Sequence, residues 1–232
     1  MVFDGPVIVS HTPLLKSGLV IKRKLNCIRP TISGGPVPPS GLVFFFAETP
    51  APAETVTGPA ADERALFDSY LTAIAPETFE AFENGESIGD APLSSNGNAL
   101  HIAAASVPEA RNNNLGRFNT TPGGAVFAQN FNALDFDIVF DDLVAGFGAY
   151  FTDMGDFDAE WFATIYDQFN VPTVVPIGNS VGVINGSLIF WGWLDNSGLL
   201  YSRVVFSQVN YTSPDGIGVD DIITPSLAQI NF

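Results

Sequence analysis

The chain has 232 residues, of which 46% are hydrophobic and 15% charged, with 22 glycines, 17 prolines and a formal net charge of −16. This composition excludes wholesale disorder, because disordered chains contain few hydrophobic residues, and it favours strands joined by many tight turns. A single cysteine excludes an internal disulfide, and so acidic a protein repels nucleic acid and anionic lipid.

The charge is divided unevenly along the chain. The first 47 residues contain five of the nine Lys and Arg residues and one carboxylate, Asp4, which gives +4 and leaves −20 for the rest. Prolines recur from Pro30 to Pro59 and oppose helix, whereas residues 18–21 are β-prone. We therefore predict that residues 1–60 form an extended basic arm with a stiff linker and that residues 61–232 form a separate domain.

The arm is predicted to dock onto another protein. A basic, β-prone segment adds a strand to the exposed edge of a partner's sheet, and its main-chain hydrogen bonds supply the affinity. The predicted docking residues are Leu19, Val20, Ile21, Lys22, Arg23, Lys24 and Arg29. The alternatives are contact with nucleic-acid phosphates, which the acidity of the remaining chain opposes, and an arm that folds on its own.

Two elements are predicted next along the chain. Residues 42–46, with the sequence LVFFF, indicate a strand that must be buried in the domain or in a partner, because such a segment aggregates when bare. From Asp62 to Ile74, apolar residues recur at spacings of three and four after an acidic first turn. This pattern predicts one short amphipathic helix that ends before Pro76.

Beyond the helix the apolar period shortens to two. Strands are predicted at residues 136–140, 146–151, 161–166, 187–194 and 200–209, with turns rich in Asn, Gly, Asp and Pro between them. The sequence therefore predicts an all-β fold, an antiparallel β-sandwich with one short helix.

Four motifs occur in order along this part of the chain. They are TFEAFENG at 78–85, GRFNTT at 116–121, GFGAYFTDMGD at 146–156 and DGIGVDDI at 215–222. Together they resemble a bacterial β-sandwich family whose modules often precede PEP-CTERM sorting signals in exported proteins. The resemblance covers roughly residues 62–224 and implies a jelly-roll-like sandwich.

The chain differs from the exported members of that family. We find no signal peptide pattern, no C-terminal sorting helix with a basic tail and no membrane-spanning stretch, and the basic arm is an addition. Similar sandwich modules occur in bacteriophage structural proteins, which are made in the host cytoplasm and attach to a particle through an extended N-terminal segment. The resemblance therefore implies a virion protein.

A calcium site is predicted from four carboxylates. The residues Asp220 and Asp221 follow a Gly-rich turn, and Glu80 or Glu83 lies near the first sandwich strand. Their arrangement resembles the one by which jelly-roll carbohydrate-binding modules hold a structural Ca²⁺, an ion that takes six to eight oxygen ligands. The alternative is that Asp215 and Asp220 form turns by bonding local amides without a metal.

Aromatic residues raise the possibility of a glycan site. We predict Trp161 and Tyr211 as the ligand-binding residues, with core packing of the aromatic side chains as the alternative. Alternation places Trp191 and Trp193 on one face of their strand and Phe190 on the other, so that at most one set faces water.

Catalytic signatures are weak. A cluster of Asp153, Asp156, Asp158 and Glu160 invites comparison with glycosidase carboxylates, but a solvated acidic loop or a second cation site explains it as well. The residues His11, His101 and Cys27 are too scattered for a zinc site or a nucleophilic triad. No catalytic residue is predicted.

These expectations lead to one function and one alternative. We expect a non-enzymatic virion structural protein, a capsid decoration (cement) protein or fibre component, which docks through its arm and forms homo-oligomers. Its partners are then other virion proteins, with no nucleic acid and no membrane. The alternative is an extracellular, calcium-dependent carbohydrate-binding module or adhesin that recognises a cell-surface glycan.

Overall fold

The computed structural model describes residues 41–50, 55–89, 91–102, 106–110, 116–124, 126–130, 135–154, 160–178, 186–209 and 216–231. Contacts between Cα atoms divide the chain into two units, Met1–Pro36 and Val37–Phe232, and all described residues belong to the second.

Twelve strands, one α-helix and one 3₁₀ helix occur among the described residues. In chain order they are β1 (Leu42–Thr49), α1 (Gly58–Asp68), β2 (Leu93–Ser95), β3 (Asn98–Ile102), β4 (Ser106–Ala110), β5 (Val126–Asn130), β6 (Asp135–Val144), β7 (Gly146–Thr152), β8 (Glu160–Asp167), β9 (Pro172–Pro176), β10 (Leu188–Asp195), β11 (Tyr201–Val209), β12 (Ile217–Ile223) and the 3₁₀ helix Leu227–Gln229.

The strands form two six-stranded sheets. Sheet I has the order β1-β10-β7-β12-β5-β4, and sheet II has the order β2-β3-β6-β11-β8-β9. Every paired strand runs antiparallel to its neighbour. The chain crosses between the sheets at each step from β5 to β12 except at the β8–β9 hairpin. The predicted all-β antiparallel sandwich is confirmed.

Aromatic side chains fill the space between the sheets. Trp193 stacks on Phe147 at 5.2 Å between ring centroids, and Trp191 meets Phe206 of sheet II edge-on at 5.5 Å. Offset and edge-to-face contacts of this kind add to the large apolar area that each ring buries. Both tryptophans of β10 therefore belong to the core.

Helix α1 covers the other face of sheet I. Its Phe67 is fully buried and contacts Phe45 of β1 and Phe190 of β10 at 5.2 and 5.4 Å between ring centroids. Strands β7, β10 and β12 are in consequence buried at every position, whereas β8 in sheet II alternates between buried and half-buried residues. Neither face of β10 meets water.

The helix differs from its predicted position. It begins at Gly58 and ends at Asp68, whereas the sequence predicted Asp62 to Ile74 with acidic residues in the first turn. Proline is tolerated in a first helical turn, because its missing N–H would have no partner there, so Pro59 does not exclude helix. Beyond the helix, Leu71 forms a bridge with Ile230.

Strand β1 belongs to the sandwich. It pairs with β10 along its whole length, from Leu42 opposite Asp195 to Thr49 opposite Leu188. Its Phe45 packs under α1, and Phe46 packs inside the sandwich, whereas Phe44 is half-exposed. The residues 42–46 therefore form the predicted strand, and the domain includes sequence that the predicted boundary at residue 61 assigned to the arm.

Candidate functional site: a loop anchored by buried carboxylates

The four sequence motifs meet at one loop. Residues 116–121, which we call the anchored loop, donate hydrogen bonds to carboxylates of two other motifs: Asn119 Nδ2 to Glu80 Oε1 at 2.7 Å, and the Thr120 amide to Asp220 Oδ2 at 2.7 Å. The first residue of the loop is a glycine packed so closely on Asp153 that a side chain would overlap it. Motifs that are far apart in sequence are therefore one site in space.

Asp220 holds the backbone of the anchored loop. Its Oδ2 accepts hydrogen bonds from the Thr120 amide, from the Thr120 hydroxyl at 3.0 Å and from the Thr121 amide at 3.3 Å. Its Oδ1 accepts one from the Asp221 amide at 2.9 Å. The side chain is buried, and its acceptor positions face donors of the chain.

A bulge turns Asp221 toward the same threonines. Neighbouring residues of a regular strand point to opposite faces, but the pairing of β12 with β7 shifts between Asp220 and Ile223, and Asp221 has a left-handed φ of +51°. Its Oδ2 accepts from the Thr120 hydroxyl at 2.9 Å and its Oδ1 from the Thr121 hydroxyl at 2.8 Å. The bulge thus brings two adjacent carboxylates to one loop.

A buried arginine connects helix α1 to this bulge. The Nε of Arg64 donates to Asp68 at 2.8 Å, and its Nη1 donates to the backbone carbonyl of Asp221 at 3.3 Å. The guanidinium lies 5.5 Å from the ring centroid of Tyr150 and 5.8 Å from that of Phe190. It places one positive charge near the two carboxylates, inside the layer between the helix and sheet I.

Burial raises the pKa of Asp220 well above its usual value, and the charge of Asp221 raises it further, whereas hydrogen bonds from Thr120 and Asp221 lower it. The geometry supports the same conclusion, because the Thr120 hydroxyl has a single proton and lies within hydrogen-bond distance of both carboxylates. If one of the two carboxyl groups carries a proton, the Thr120 hydroxyl and both carboxyl groups can all form hydrogen bonds with one another. The pair Asp220 and Asp221 therefore favours binding one proton.

The four predicted calcium ligands are only partly brought together. Glu80 reaches the anchored loop through Asn119, whereas Glu83 is exposed and its amide is capped by the Glu86 carboxylate at 2.9 Å. Within the described residues, no three His, Cys, Asp or Glu side chains are grouped so that they could hold a metal ion. Calcium remains a prediction, and an ion at Asp220 must replace hydrogen bonds that the threonines now donate.

The structure describes two of the four residues in the predicted acidic cluster, Asp153 and Glu160. Asp153 is buried, has a left-handed φ of +63°, and its Oδ1 accepts a hydrogen bond from the Gly186 amide at 3.0 Å. It joins the end of β7 to the segment before β10, and it is not part of a solvated loop as predicted. Glu160 begins β8, while Asp156 and Asp158 lie outside the described residues.

The predicted glycan-binding aromatics do not form a surface platform in the described part of the chain. Trp161 is 2% exposed and packs edge-on against Phe136 in the core, so it has no free face on which a sugar ring could stack. Tyr150 and Tyr201 are buried as well. Tyr211 lies outside the described residues.

All seven predicted docking residues also lie outside the described residues; they are Leu19, Val20, Ile21, Lys22, Arg23, Lys24 and Arg29. The basic segment joins the domain at Gly41, whose amide donates to Asn196 Oδ1 at 2.7 Å just before β1. His101 lies on the surface, with its Nδ1 3.0 Å from Asp141.

Sequence reasoning missed the polar residues that complete the site. Arg64 lies in the predicted helix, and Asn119, Thr120 and Thr121 lie in one of the four motifs. The sequence pattern predicts no hydrogen-bonding role for any of these residues. The sequence does contain one signal for this site. The adjacent threonines Thr120 and Thr121 are hydrogen-bond donors, and the adjacent aspartates Asp220 and Asp221 are the matching acceptors. Strand alternation hid it, because a regular strand would send Asp220 and Asp221 to opposite faces.

Comparison of the chain with protein-family models, with curated proteins and with solved structures found no match. No helix among the residues that the structure describes is long and apolar enough to cross a membrane.

Proposed function

We propose that this protein is a non-enzymatic structural component of a bacteriophage particle, a capsid decoration (cement) or fibre protein present in several copies. Its basic N-terminal segment docks on other virion proteins, and its acidic sandwich is displayed. The observation that carries the proposal is the division of charge, +4 in the first 47 residues and −20 in the remainder. A basic strand binds to an acidic surface, whereas an acidic domain repels nucleic acid and anionic lipid.

The geometry of the domain supports this role in two ways. In the sequence the basic segment precedes β1, which is an edge strand of sheet I. The buried carboxylates Asp153 and Asp220 bond loop backbones between strands, which makes them rigid anchors of the display surface.

A particle-association experiment tests the docking. Particles released by cells that produce the full chain are separated on a density gradient, and the proteins that sediment with it are identified by mass spectrometry. We expect the chain in a fixed ratio to a major shell protein. The variant K22Q/R23Q/K24Q should remain at the top of the gradient, and the matched control K22R/K24R, which keeps the charge, should sediment with the particles.

Two results would contradict the proposal. The first is a full chain that never sediments with a particle, and the second is a charge-free arm that sediments as well as the control. Because β1 is part of sheet I, a truncated variant for this purpose must retain residues 41–232.

The second candidate function is an extracellular, calcium-dependent carbohydrate-binding module or adhesin. The observation that favours it is the convergence of Glu80, Asp220 and Asp221 on the anchored loop. It predicts that Ca²⁺ raises the melting temperature more than Mg²⁺ at equal ionic strength, because an ion that binds only the folded state stabilises it. It also predicts that D221N removes this effect and that chelation abolishes binding on a glycan array. Equal melting temperatures with both ions would reject it.

A further inference from the structure

The outer face of sheet II is apolar at its β9 end. The half-buried residues of β8 alternate with the core residues Trp161, Ala163 and Ile165 and therefore point outward, as do their partners across β9 and β11. We call this surface the open face, and its apolar members are Phe162, Tyr166, Pro172, Val174, Val205 and Val209.

The open face is more exposed than the corresponding face of sheet I. Helix α1 packs on sheet I, whereas Val174 and Val209 of sheet II are 62% and 40% exposed. At the neighbouring tip of the β8–β9 hairpin, Phe169 and Val171 are 72% and 57% exposed. An apolar surface that continues across three strands and a hairpin tip is typical of an interaction site.

The open face also carries few charged side chains. Those that point outward on β8, β9 and β11 are Arg203 and Glu160, in a chain with a net charge of −16, while Asp167 at the end of β8 accepts hydrogen bonds from the Phe169 and Val171 amides of the hairpin. The Arg203 guanidinium lies 4.0 Å from the ring centroid of Tyr166 and 3.5 Å from Asp137 Oδ2, so its charge is already compensated. Two acidic molecules can approach here with the least repulsion.

The edge of β9 opposes the addition of another strand. The Ile177 amide and the Val171 carbonyl bond to β8, so alternation directs the backbone groups of Pro172, Val174 and Pro176 away from the sheet. Proline has no N–H, so Val174 provides the one outward donor of this strand. A partner can therefore form few backbone hydrogen bonds at this edge. It can bury more apolar surface on the open face beside it.

We propose that the open face is the contact between two copies of this chain, packed sheet against sheet about a two-fold axis. Such an interface uses the same patch on both subunits, and sheets pack face to face when their apolar side chains interlock. A strongly cationic partner would instead be drawn to the acidic remainder of the domain. The contact does not involve the basic arm, so it goes beyond the particle docking proposed above.

Sedimentation equilibrium of the full chain across the micromolar range tests the contact. We expect a reversible dimer, and V174E should raise its dissociation constant by roughly tenfold or more, because the new carboxylate is buried without a partner in the dimer. The matched control L66E introduces the same charge at another exposed apolar residue, Leu66 of α1, which is 42% exposed, and should dimerise like the parent chain.

A second variant guards against misfolding of the first. V209K places a lysine beside Glu160, its cross-strand partner, which suits the folded monomer, and it should also weaken the dimer. Thermal unfolding of each variant at low concentration should match the parent. A monomeric parent chain at every concentration, or a V174E variant that dimerises normally, would overturn the proposal. So would loss of the dimer in K22Q/R23Q/K24Q, which would assign the contact to the arm.

Discussion

Asp220 and Asp221 are neighbours in sequence, and both side chains accept hydrogen bonds from Thr120 and Thr121. They differ in which groups of the two threonines act as donors. Asp220 accepts from backbone amides of Thr120 and Thr121, which can only donate, whereas Asp221 accepts from their hydroxyls, which can donate or accept. The two carboxylates therefore respond differently to the same substitution.

We predict that D221N stabilises the domain at pH 7 when divalent ions are chelated. The amide can donate to a threonine hydroxyl, which leaves that hydroxyl free to donate to Asp220, and the repulsion between two carboxylates disappears. The gain should be about 0.5–1.5 kcal/mol in the free energy of unfolding, the usual net contribution of one hydrogen bond. Denaturant titration measures it.

The matched substitution D220N should have the opposite sign. Its amide nitrogen must face an N–H donor whichever way the group is turned, because both oxygens of Asp220 accept backbone amides. Leaving a buried donor unpaired costs about 1–3 kcal/mol. Equal effects of D220N and D221N would show that the two carboxylates are not distinguished in this way.

At the scale of elements, Phe67 is the largest apolar side chain that helix α1 packs against sheet I. We predict that F67A costs about 3–5 kcal/mol in unfolding free energy, as for other large buried side chains, because Phe67 is fully buried between Phe45 and Phe190. Its neighbour Leu66 is 42% exposed, so L66A should change the stability by less than about 1 kcal/mol. A small loss in F67A would show that the helix contributes little to the core.

The prolines of β9 are predicted to protect the domain from edge-to-edge aggregation. In P172T/P176T the edge regains outward N–H donors next to exposed Val174, and such edges recruit further strands. Light scattering on prolonged incubation should therefore rise faster than for the parent chain. The control P92T changes an exposed proline just before β2 and should scatter like the parent. Unchanged scattering in the double variant would assign no protective role to these prolines.

The sequence predicted the strands better than the layers around them. The predicted strands at 136–140, 146–151, 161–166, 187–194 and 200–209 all correspond to strands of the structure. Alternation allowed at most one face of each strand to meet water; β8 has one half-buried face, whereas both faces of β10 are buried. The difference arises because helix α1, more than a hundred residues earlier in the chain, covers sheet I. The local sequence pattern of a strand cannot predict such a distant contact.

The candidate site was predictable in its carboxylates and not in its geometry. Motif order pointed to Glu80, Asp220 and Asp221, and the structure joins them to one loop. The bulge at Asp221 could not be predicted, because it depends on a left-handed backbone angle in a residue other than glycine and on the pairing of β12 with β7. The prediction that Trp161 is a glycan-binding surface residue is wrong, because large aromatic side chains are favoured in protein cores.

For the molecule as a whole, buried acids should make the stability fall with increasing pH. Burial raises the pKa values of Asp220, Asp68, Glu48 and Glu63. Because the folded state then binds protons more tightly than the unfolded state, their contribution is largest below the unfolded pKa, about 4 for these acids. It is lost as the pH rises through the raised values of the folded state.

Unfolding free energies measured by denaturant titration from about pH 4 to 8 test this sign. We expect a decline with pH in the parent chain and a shallower decline in D221N, because the charge of Asp221 contributes to the shift of Asp220. The control L66A leaves these acids in place, adds no titrating group and should follow the parent. A stability that rises with pH across this window, or a D221N profile parallel to the parent, would contradict the assignment.

The pairing of β1 with β10 has a consequence for biosynthesis. The hydrogen bond from Gly41 to Asn196 joins residues 155 positions apart, and the Thr72 amide bonds to the carbonyl of Gln229. Sheet I therefore cannot be completed until β12, which ends at Ile223, has left the ribosome, and the Phe-rich strand β1 is unpaired in the meantime. Folding dominated by such distant contacts is slow, in the range of milliseconds to seconds, and a chaperone that shields this strand during translation would raise the yield of native protein.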